Sequence, residues 1–282
     1  MKHDPIALVQ GITKVASLPT IYIKLEDAIK KPGVTNRQLT QIINEDAAMA
    51  ARLLRIANSA FYGFPSKVDT VTQAISIIGV NQLRDLLLAC SMVSVFENIP
   101  DDLVSMESFW RHSIACGVIS RVLASLRHEN NVERFFVAGL LHDIGRLVFY
   151  MLRPKEMSSA LKNAAERGVL LYSLEKEMFG FDHAKIGGLL LKTWRLPPPL
   201  VESTAYHHKP LHAKRYVLDA CIVHVADVMA NALSKGSSGE NKTPPLMDEA
   251  WEIVGLPSDA IDCVIDKFQL QYNVTVNFIL RD

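Results

Sequence analysis

Apolar side chains recur along this chain at spacings of three and four residues, almost from one end to the other. That spacing places them on one face of an α-helix, whereas a half-buried strand would alternate apolar and polar residues. No convincing run of alternation interrupts the pattern, so the sequence predicts an all-α protein. Proline and glycine mark the predicted helix ends at Pro19, Pro32-Gly33, Gly63 to Pro65 and Gly79.

The periodic segments fall into two blocks. The first block predicts helices at about 5–16, 19–31, 35–44, 46–60, 71–79 and 80–97. The second predicts helices at about 103–127, 132–150, 155–168, 170–179, 183–194, 198–207, 214–234, 247–254 and 258–270. Thr35 with Gln38 three residues later resembles a capping box, and Asp46 stands where it would cap the following helix.

Two polar segments interrupt the helical pattern. ENIPDD at 97–102 combines a proline with adjacent acidic residues, and it predicts the boundary between two subdomains. Residues 1–98 would form an N-terminal helical subdomain, packed on a multi-helix domain of residues 99–282. The stretch SKGSSGENKTPP at 234–245 has the composition of a solvated, mobile loop with little that could pack.

Composition and charge narrow the class of protein. The 282 residues carry 30 basic and 30 acidic side chains, so no overall basic field favours nucleic acid or an anionic membrane. The first residues lack the apolar core of a signal peptide, and the most apolar stretch, Leu86 to Phe96, is too short to span a bilayer. We therefore expect a cytoplasmic protein. Its cysteines form no CxxC pair and are predicted to be buried thiols: Cys90, Cys116, Cys221 and Cys263.

The candidate chemistry starts at the dipeptide His142-Asp143, inside FFVAGLLHDIGRLVFY. Two ionisable groups in an otherwise buried helix are costly unless they pair with each other, bond to backbone or bind a cation. Further histidines and one aspartate lie in later or earlier amphipathic segments. If these helices share a core, the side chains can converge as the ligands of helical-bundle metal sites do. The candidate partners are His112, His183, His207, His208 and Asp227.

Mixed histidine and aspartate ligation suits iron, manganese or zinc, and Asp143 could bridge two such ions. Adjacent His207 and His208 would diverge by about 100° on a regular helix, so both reach one site only where the helix ends. Lys209-Pro210 supplies that ending. Arg146 lies one turn beyond Asp143, where it would either grip a phosphate or neutralise the carboxylate.

These segments carry a family resemblance. It runs through LPTIYIKLEDAI, INEDAAMAARLLRIANSAFYG and DTVTQAISIIGVNQLRDLLLA to AGLLHDIGRLVF and HVADVMANAL, and so covers most of the chain. The sequence resembles the HDOD domain, a bacterial signalling relative of the HD metal-dependent phosphohydrolases. The resemblance implies that a first metal is held by His112, His142, Asp143 and Asp227. In related phosphodiesterases with an HD-GYP motif, a second metal is held by histidines that match His183, His207 and His208.

The resemblance implies two functions. We favour a signal-transduction module that acts through a protein partner, with its metal site structural, vestigial or empty, because the N-terminal unit has no evident catalytic residue. The alternative is an active phosphohydrolase for a phosphomonoester or nucleotide diester, with Asp143 and Arg146 as catalytic residues and a phosphate-containing small molecule as partner. The GYP segment is missing and Arg146 replaces a lysine, so we do not expect a cyclic di-GMP enzyme. A nucleic-acid adaptor has only scattered basic residues in its favour.

Overall fold

The computed structural model describes residues 4–14, 16–59, 62–96, 99 and 103–280. Throughout these residues the regular structure is helical and contains no β-strand, which confirms the predicted fold class. A short 3-10 turn at Pro210–His212 accompanies the α-helices. In chain order the helices are α1 (Pro5–Ile12), α2 (Thr20–Ile29), α3 (Asn36–Asn44), α4 (Ala47–Ala57), α5 (Val71–Ile78), α6 (Val80–Val95), α7 (Met106–Leu126), α8 (Val132–Leu141), α9 (Ile144–Leu152), α10 (Pro154–Arg167), α11 (Leu171–Phe179), α12 (His183–Thr193), α13 (Pro198–Tyr206), α14 (Val217–Ala232), α15 (Asp248–Val254) and α16 (Ala260–Leu280).

The helix starts are fixed by local capping. Thr35 and Gln38 form the predicted capping box, in which each side chain accepts a hydrogen bond from the other residue's backbone N–H. Asp46 caps α4 by accepting from the Met49 N–H at 2.9 Å. Both predictions are therefore confirmed, because amides that a helix start leaves unpaired are satisfied by side chains of the sequence itself.

The N-terminal helices are joined to the rest of the molecule along several contacts. Helix α6 packs on α8, α1 packs on α9 and α12, and α16 packs on α4, α6 and α7. The buried apolar side chains of all these helices form one continuous cluster. The predicted boundary at 97–102 lies outside the described residues except for Ile99, and the division into two subdomains stays a prediction.

Helix α7 is the centre of the C-terminal half, where α8, α14 and α16 pack around it. Two glycines allow the closest helix crossings. A Cβ atom on Gly139 would lie 2.7 Å from the Cα of Gly117, and a Cβ atom on Gly145 would lie 2.0 Å from the carbonyl oxygen of His183. Only glycine permits such approaches, so these positions bring α8 against α7 and α9 against α12.

Two predicted helix ranges differ most from the structure. The predicted helix at 132–150 breaks into α8 and α9, because His142 and Asp143 form the turn between them. The last helix reaches Leu280, ten residues beyond the predicted end at 270, since the buried stripe continues through Tyr272, Val276 and Ile279. The break at 142–143 matters for function because it turns two neighbouring side chains toward the same interior space.

Two predictions about burial are wrong. The segment 234–245 was expected to have little that could pack, yet Ser238 is 1% exposed and Glu240 is 7% exposed. Its polar side chains are buried because they pair with polar groups of the helix core. Cys263 was expected to be a buried thiol, but it lies on the exposed face of α16, whereas the other three cysteines are buried as predicted.

One stretch of the described chain, Val132–Leu152, is long and apolar enough to cross a membrane, and 89% of its most apolar part is buried within the protein. Helices α5 and α6 pass the same test only as a pair, and they are bent by 117° at their junction. Val132–Leu152 corresponds to α8 and α9, which lie in the core described above.

Candidate metal centre

The structure brings all seven predicted ligand residues together around one interior space. They come from the middle of α7, the α8–α9 turn, the start of α12, the residues after α13 and the middle of α14. All but His208, which is half-buried, have 4% or less of their surface exposed. The residues are His112, His142, Asp143, His183, His207, His208 and Asp227. Their role as metal ligands stays a prediction.

One group, which we call the first triad, consists of His112, His142 and Asp227. The Nε2 atom of His112 lies 3.2 Å from Asp227 Oδ1, and the Nε2 atom of His142 lies 3.4 Å from the same oxygen. One donor atom from each residue lies within 4.8 Å of the others, a span that a single cation can bridge.

A second group, which we call the second triad, consists of His183, His207 and His208. The Nε2 atom of His183 lies 3.3 Å from that of His207 and 3.1 Å from that of His208. Helix α13 ends at Tyr206, as Lys209-Pro210 predicts, and both following imidazoles therefore turn toward His183.

Asp143 stands between the two triads and faces each with a different oxygen. Its Oδ1 lies 2.8 Å from His183 Nε2 and 3.8 Å from His207 Nε2. Its Oδ2 lies 3.4 Å from His142 Nε2 and 3.8 Å from His112 Nε2. This placement is what a carboxylate that bridges two cations requires.

Backbone and carboxylate contacts set the orientation of the imidazoles. His142 Nδ1 donates to the Gly139 carbonyl at 2.7 Å, and His207 Nδ1 donates to the Thr204 carbonyl at 2.8 Å. Each ring therefore points its Nε2 to the interior. His183 Nδ1 lies 2.6 Å from Glu175 Oε2, which also accepts the His183 backbone N–H at 2.8 Å.

The electrostatics favour ionised carboxylates in this centre. Burial opposes ionisation of Asp143, but the charges of Arg146, His142 and His183 outweigh it and hold its pKa well below the usual range. Burial likewise opposes ionisation of Asp227, yet the neighbouring imidazoles of His112 and His142 outweigh it and hold its pKa well below the usual range. Two buried aspartates are thus anions, which is the ligand form that a metal needs.

The imidazoles separate into two kinds. Burial and the neighbouring charges of His142 and His183 lower the pKa of His207 to about 3. Burial and the neighbouring histidines also lower the pKa of His208 well below its ordinary value. For His183 burial acts in the same direction, but the carboxylates of Glu175 and Asp143 together outweigh it and raise the pKa to about 9. His207 and His208 are therefore neutral at pH 7, and each has a nitrogen lone pair available for a metal ion.

The donor set fits a divalent cation. His142 Nε2 is buried without a hydrogen-bond partner, although it points at two carboxylates. Nitrogen lone pairs that converge at 3.1–3.3 Å repel one another unless a proton or a cation lies among them. In addition, the centre contains four buried carboxylates and one buried guanidinium, that of Arg146, so protonated imidazoles or a bound cation must supply further positive charge. The carboxylates are Asp143, Glu175, Asp227 and Glu240.

Arg146 lies at the edge of this centre, next to Asp143. Its Nε lies 3.7 Å from Asp143 Oδ1, and its Nη1 donates to Ser238 Oγ at 2.7 Å. Burial opposes its charge, but Asp143, Glu175 and Glu240 outweigh that effect and raise its pKa. Arg146 thus pairs with Asp143, while Ser238 and Glu240 occupy the outer edge of its guanidinium.

Several functional contacts were not predicted from the sequence. Glu175 orients His183, and Asn231 donates to Asp227 Oδ1 at 2.8 Å. A signal existed for Glu175, because it falls on the apolar face of α11 among Leu171, Leu174 and Phe179. Ser238 and Glu240 gave no signal, since their segment reads as an ordinary polar loop.

A cavity of about 300 Å³ adjoins the centre at His208. The ring of Tyr172 stacks on the His208 imidazole with 4.1 Å between ring centroids. The other lining residues are Lys209, His224 and Pro244 to Met247. His208 is therefore the member of the second triad through which the centre meets solvent.

Sequence comparison relates the chain to a known protein family and to a relative whose role is uncharacterised. The family model of the HDOD domain matches residues 15–210. A protein of Treponema pallidum (strain Nichols), whose role is uncharacterised, is 26% identical over 208 residues. The match covers 73% of this chain and 40% of that protein, so the chain spans less than half the length of this relative.

Solved structures share the fold over nearly the whole chain. An HDOD domain protein of unknown function from Geobacter sulfurreducens has a TM-score of 0.78 and 21% identity, with 98% of each chain covered. A protein from Shewanella amazonensis SB2B, provisionally named a phosphohydrolase, has a TM-score of 0.74 and 25% identity. There the match covers 97% of this chain and 98% of that one.

Proposed function

The chain belongs to the HDOD family, and from that premise we propose that it is a signal-transduction module built around an HD-type metal centre. The centre would hold one or two divalent ions, iron, manganese or zinc, one ion at each triad with Asp143 between them. The module would act through contact with a protein partner.

The burial of the centre carries this proposal. Arg146 and every candidate ligand except His208 have 4% or less of their surface exposed. Ser238 and Glu240 also cover the guanidinium and the Oδ2 side of Asp143. A hydrolase needs a reacting phosphorus atom beside its metals, whereas a structural or signalling metal needs only a closed set of ligands. The closed arrangement supports the module.

The alternative is a metal-dependent phosphohydrolase, and one observation favours it. Arg146 lies within a helical turn of Asp143 and offers the forked donor that suits a phosphoryl group. A bound divalent ion lowers the pKa of its water ligand and so provides a hydroxide near pH 7. In that case Asp143 would position the ions, and Arg146 would orient the phosphomonoester or diester and stabilise charge on its oxygens.

Elemental analysis combined with activity assays tests the two functions. The full chain would be purified without chelator, its metal content measured by mass spectrometry, and turnover assayed with p-nitrophenyl phosphate and bis-p-nitrophenyl phosphate in added Mn²⁺ or Fe²⁺. The module predicts bound metal without turnover. Turnover that disappears in Asp143→Asn would establish the hydrolase instead, and protein that binds no metal under any condition would contradict both.

A further inference from the structure

The segment Ser237–Glu240, which we call the plug, lies directly on the metal centre and is tied to three helices. At α7, the Ser237 N–H donates to Ser108 Oγ at 2.9 Å. At α9, Tyr150 donates its hydroxyl hydrogen to the Ser238 carbonyl at 2.6 Å. At the start of α11, the Glu240 carboxylate accepts the Leu171 N–H at 3.0 Å. The plug therefore has a defined position.

Oxygen atoms of the plug fill the outer edge of the Arg146 guanidinium. Nη1 donates to Ser238 Oγ at 2.7 Å and to the Ser238 carbonyl at 3.2 Å, while Nη2 donates to Glu240 Oε2 at 3.4 Å. The Ser238 hydroxyl also donates to Asp143 Oδ2, the oxygen that faces the first triad. A guanidinium fork surrounded by three oxygens is the arrangement in which arginine binds a phosphate or another oxyanion.

The plug is held by contacts that water or a ligand can replace. It belongs to the connection between α14 and α15, residues 233–247, which contains no helix. Serine, glycine and glutamate make its contacts through hydrogen bonds and one ion pair, and none of these side chains is a large apolar anchor. Segments fixed in this way can open locally while the helix core stays folded.

We propose that the plug is an autoinhibitory contact, which occupies the place of an oxyanion ligand and must leave before a phosphate group can reach Arg146 and Asp143. This inference rests on the proposed function in that it gives the same centre a closed and an open state. A partner that draws residues 233–247 away would open the centre, and a phosphate-bearing ligand would compete with Glu240 and Ser238.

Chemical labelling of Arg146 tests the plug without relying on activity. Phenylglyoxal modifies accessible arginines, and mass spectrometry of peptides gives the rate at each one. Arg146 is 2% exposed and should react far more slowly than Arg167, whose side chain is 50% exposed. Glu240→Gln, which keeps an oxygen for the Leu171 N–H but removes the charge, should raise the Arg146 rate about tenfold.

A second variant and two matched controls show whether faster labelling of Arg146 results from loss of the plug contacts or from unfolding. Ser238→Ala removes the hydroxyl that joins Arg146 to Asp143 and should also raise the Arg146 rate about tenfold. Glu249→Gln and Ser158→Ala change exposed residues of α15 and α10 and should leave it unchanged. Circular dichroism confirms that each variant is folded. In protein loaded with Mn²⁺, inorganic phosphate should slow Arg146 labelling in the two plug variants and not in the wild type.

The outcomes separate this inference from the proposed function. Folded plug variants whose Arg146 reacts no faster than in the wild type would overturn the plug, and so would wild-type Arg146 that reacts as fast as Arg167. Phosphate that protects none of the loaded variants would also overturn it. Metal content is measured separately, so protein that lacks metal refutes the proposed function while the labelling rates still decide whether the plug covers Arg146.

Discussion

The two triads differ in how the fold holds them. The first triad draws His112 and Asp227 from the interiors of α7 and α14, and His142 directly follows α8. The second triad stands on helix ends, since His183 opens α12 and the two adjacent histidines follow α13. Packing of whole helices therefore fixes the first group, whereas the second depends on polar contacts at helix termini.

Access to solvent differs in the same direction. Every residue of the first triad has 4% or less of its surface exposed. The second triad meets a cavity through His208, which is covered on one face by Tyr172. We expect an ion in the first triad to exchange slowly and an ion in the second to exchange quickly. One centre would then combine a slowly exchanging and a rapidly exchanging site.

The largest effect should come from Asp143→Asn, because this carboxylate faces both triads. The neutral amide keeps the shape but removes the charge that attracts both ions, so we expect nearly all bound metal to be lost. Metal content after dialysis measures the effect. Asp262→Asn, at an exposed position of α16, is the control. Full metal content in Asp143→Asn would show that the triads do not share this residue.

The next largest effect is on the rate of metal release, and it distinguishes the two triads from each other. His142→Ala should empty the first triad and leave only the fast ion, whereas His208→Ala should weaken the second and leave the slow one. Transfer of the remaining metal to a coloured chelator gives the two release rates. Equal release rates in the two variants would contradict the difference between the triads.

A smaller effect is expected at Glu175, which acts on the second triad through His183. Glu175→Gln weakens the contact to His183 Nδ1 and should lower the metal affinity of this triad about 10- to 100-fold, the usual range for groups that orient a ligand. Competition with a chelator of known affinity measures the change. The control is Glu177→Gln, which alters an exposed residue of the same helix. Unchanged affinity would show that Glu175 does not orient the ligand.

The smallest effect is expected at Asn231, which supports the first triad. Its side-chain amide donates to Asp227 Oδ1 at 2.8 Å, so Asn231→Ala should weaken this triad about tenfold and spare the second. The slow phase of metal release reports the change, with Asn163→Ala, at a partly exposed position of α10, as control. If only the fast phase of metal release changed, the rapidly exchanging ion would lie in the first triad and the slowly exchanging ion in the second.

Much of the fold follows from sequence periodicity because most helices bury a continuous apolar stripe. Periodicity failed at residues 142–143, where the apolar pattern continues through a turn that only tertiary contacts require. The ends of α3, α4 and α13 were predictable, because a capping side chain or a proline lies at each position.

The convergence of the seven candidate ligand residues agrees with the resemblance to HD proteins, and spacing alone would not have established it. His112 and Asp227 are more than a hundred residues apart, and helix packing determines their separation. Ser238 and Glu240 could not be predicted as buried, because a polar segment is solvated unless the folded core presents partners for its side chains. Arg146 and Asp143 present those partners only once the helices have assembled.

The position of the plug in the chain has a consequence for biosynthesis. The ribosome makes every candidate ligand, from His112 to Asp227, before it adds Ser237. Helices of a nascent chain can begin to assemble before later residues emerge. If the centre binds an ion, that ion could enter the half-formed bundle before residues 233–247 cover it. Translation order itself would favour loading with whichever metal is free in the cell at that moment.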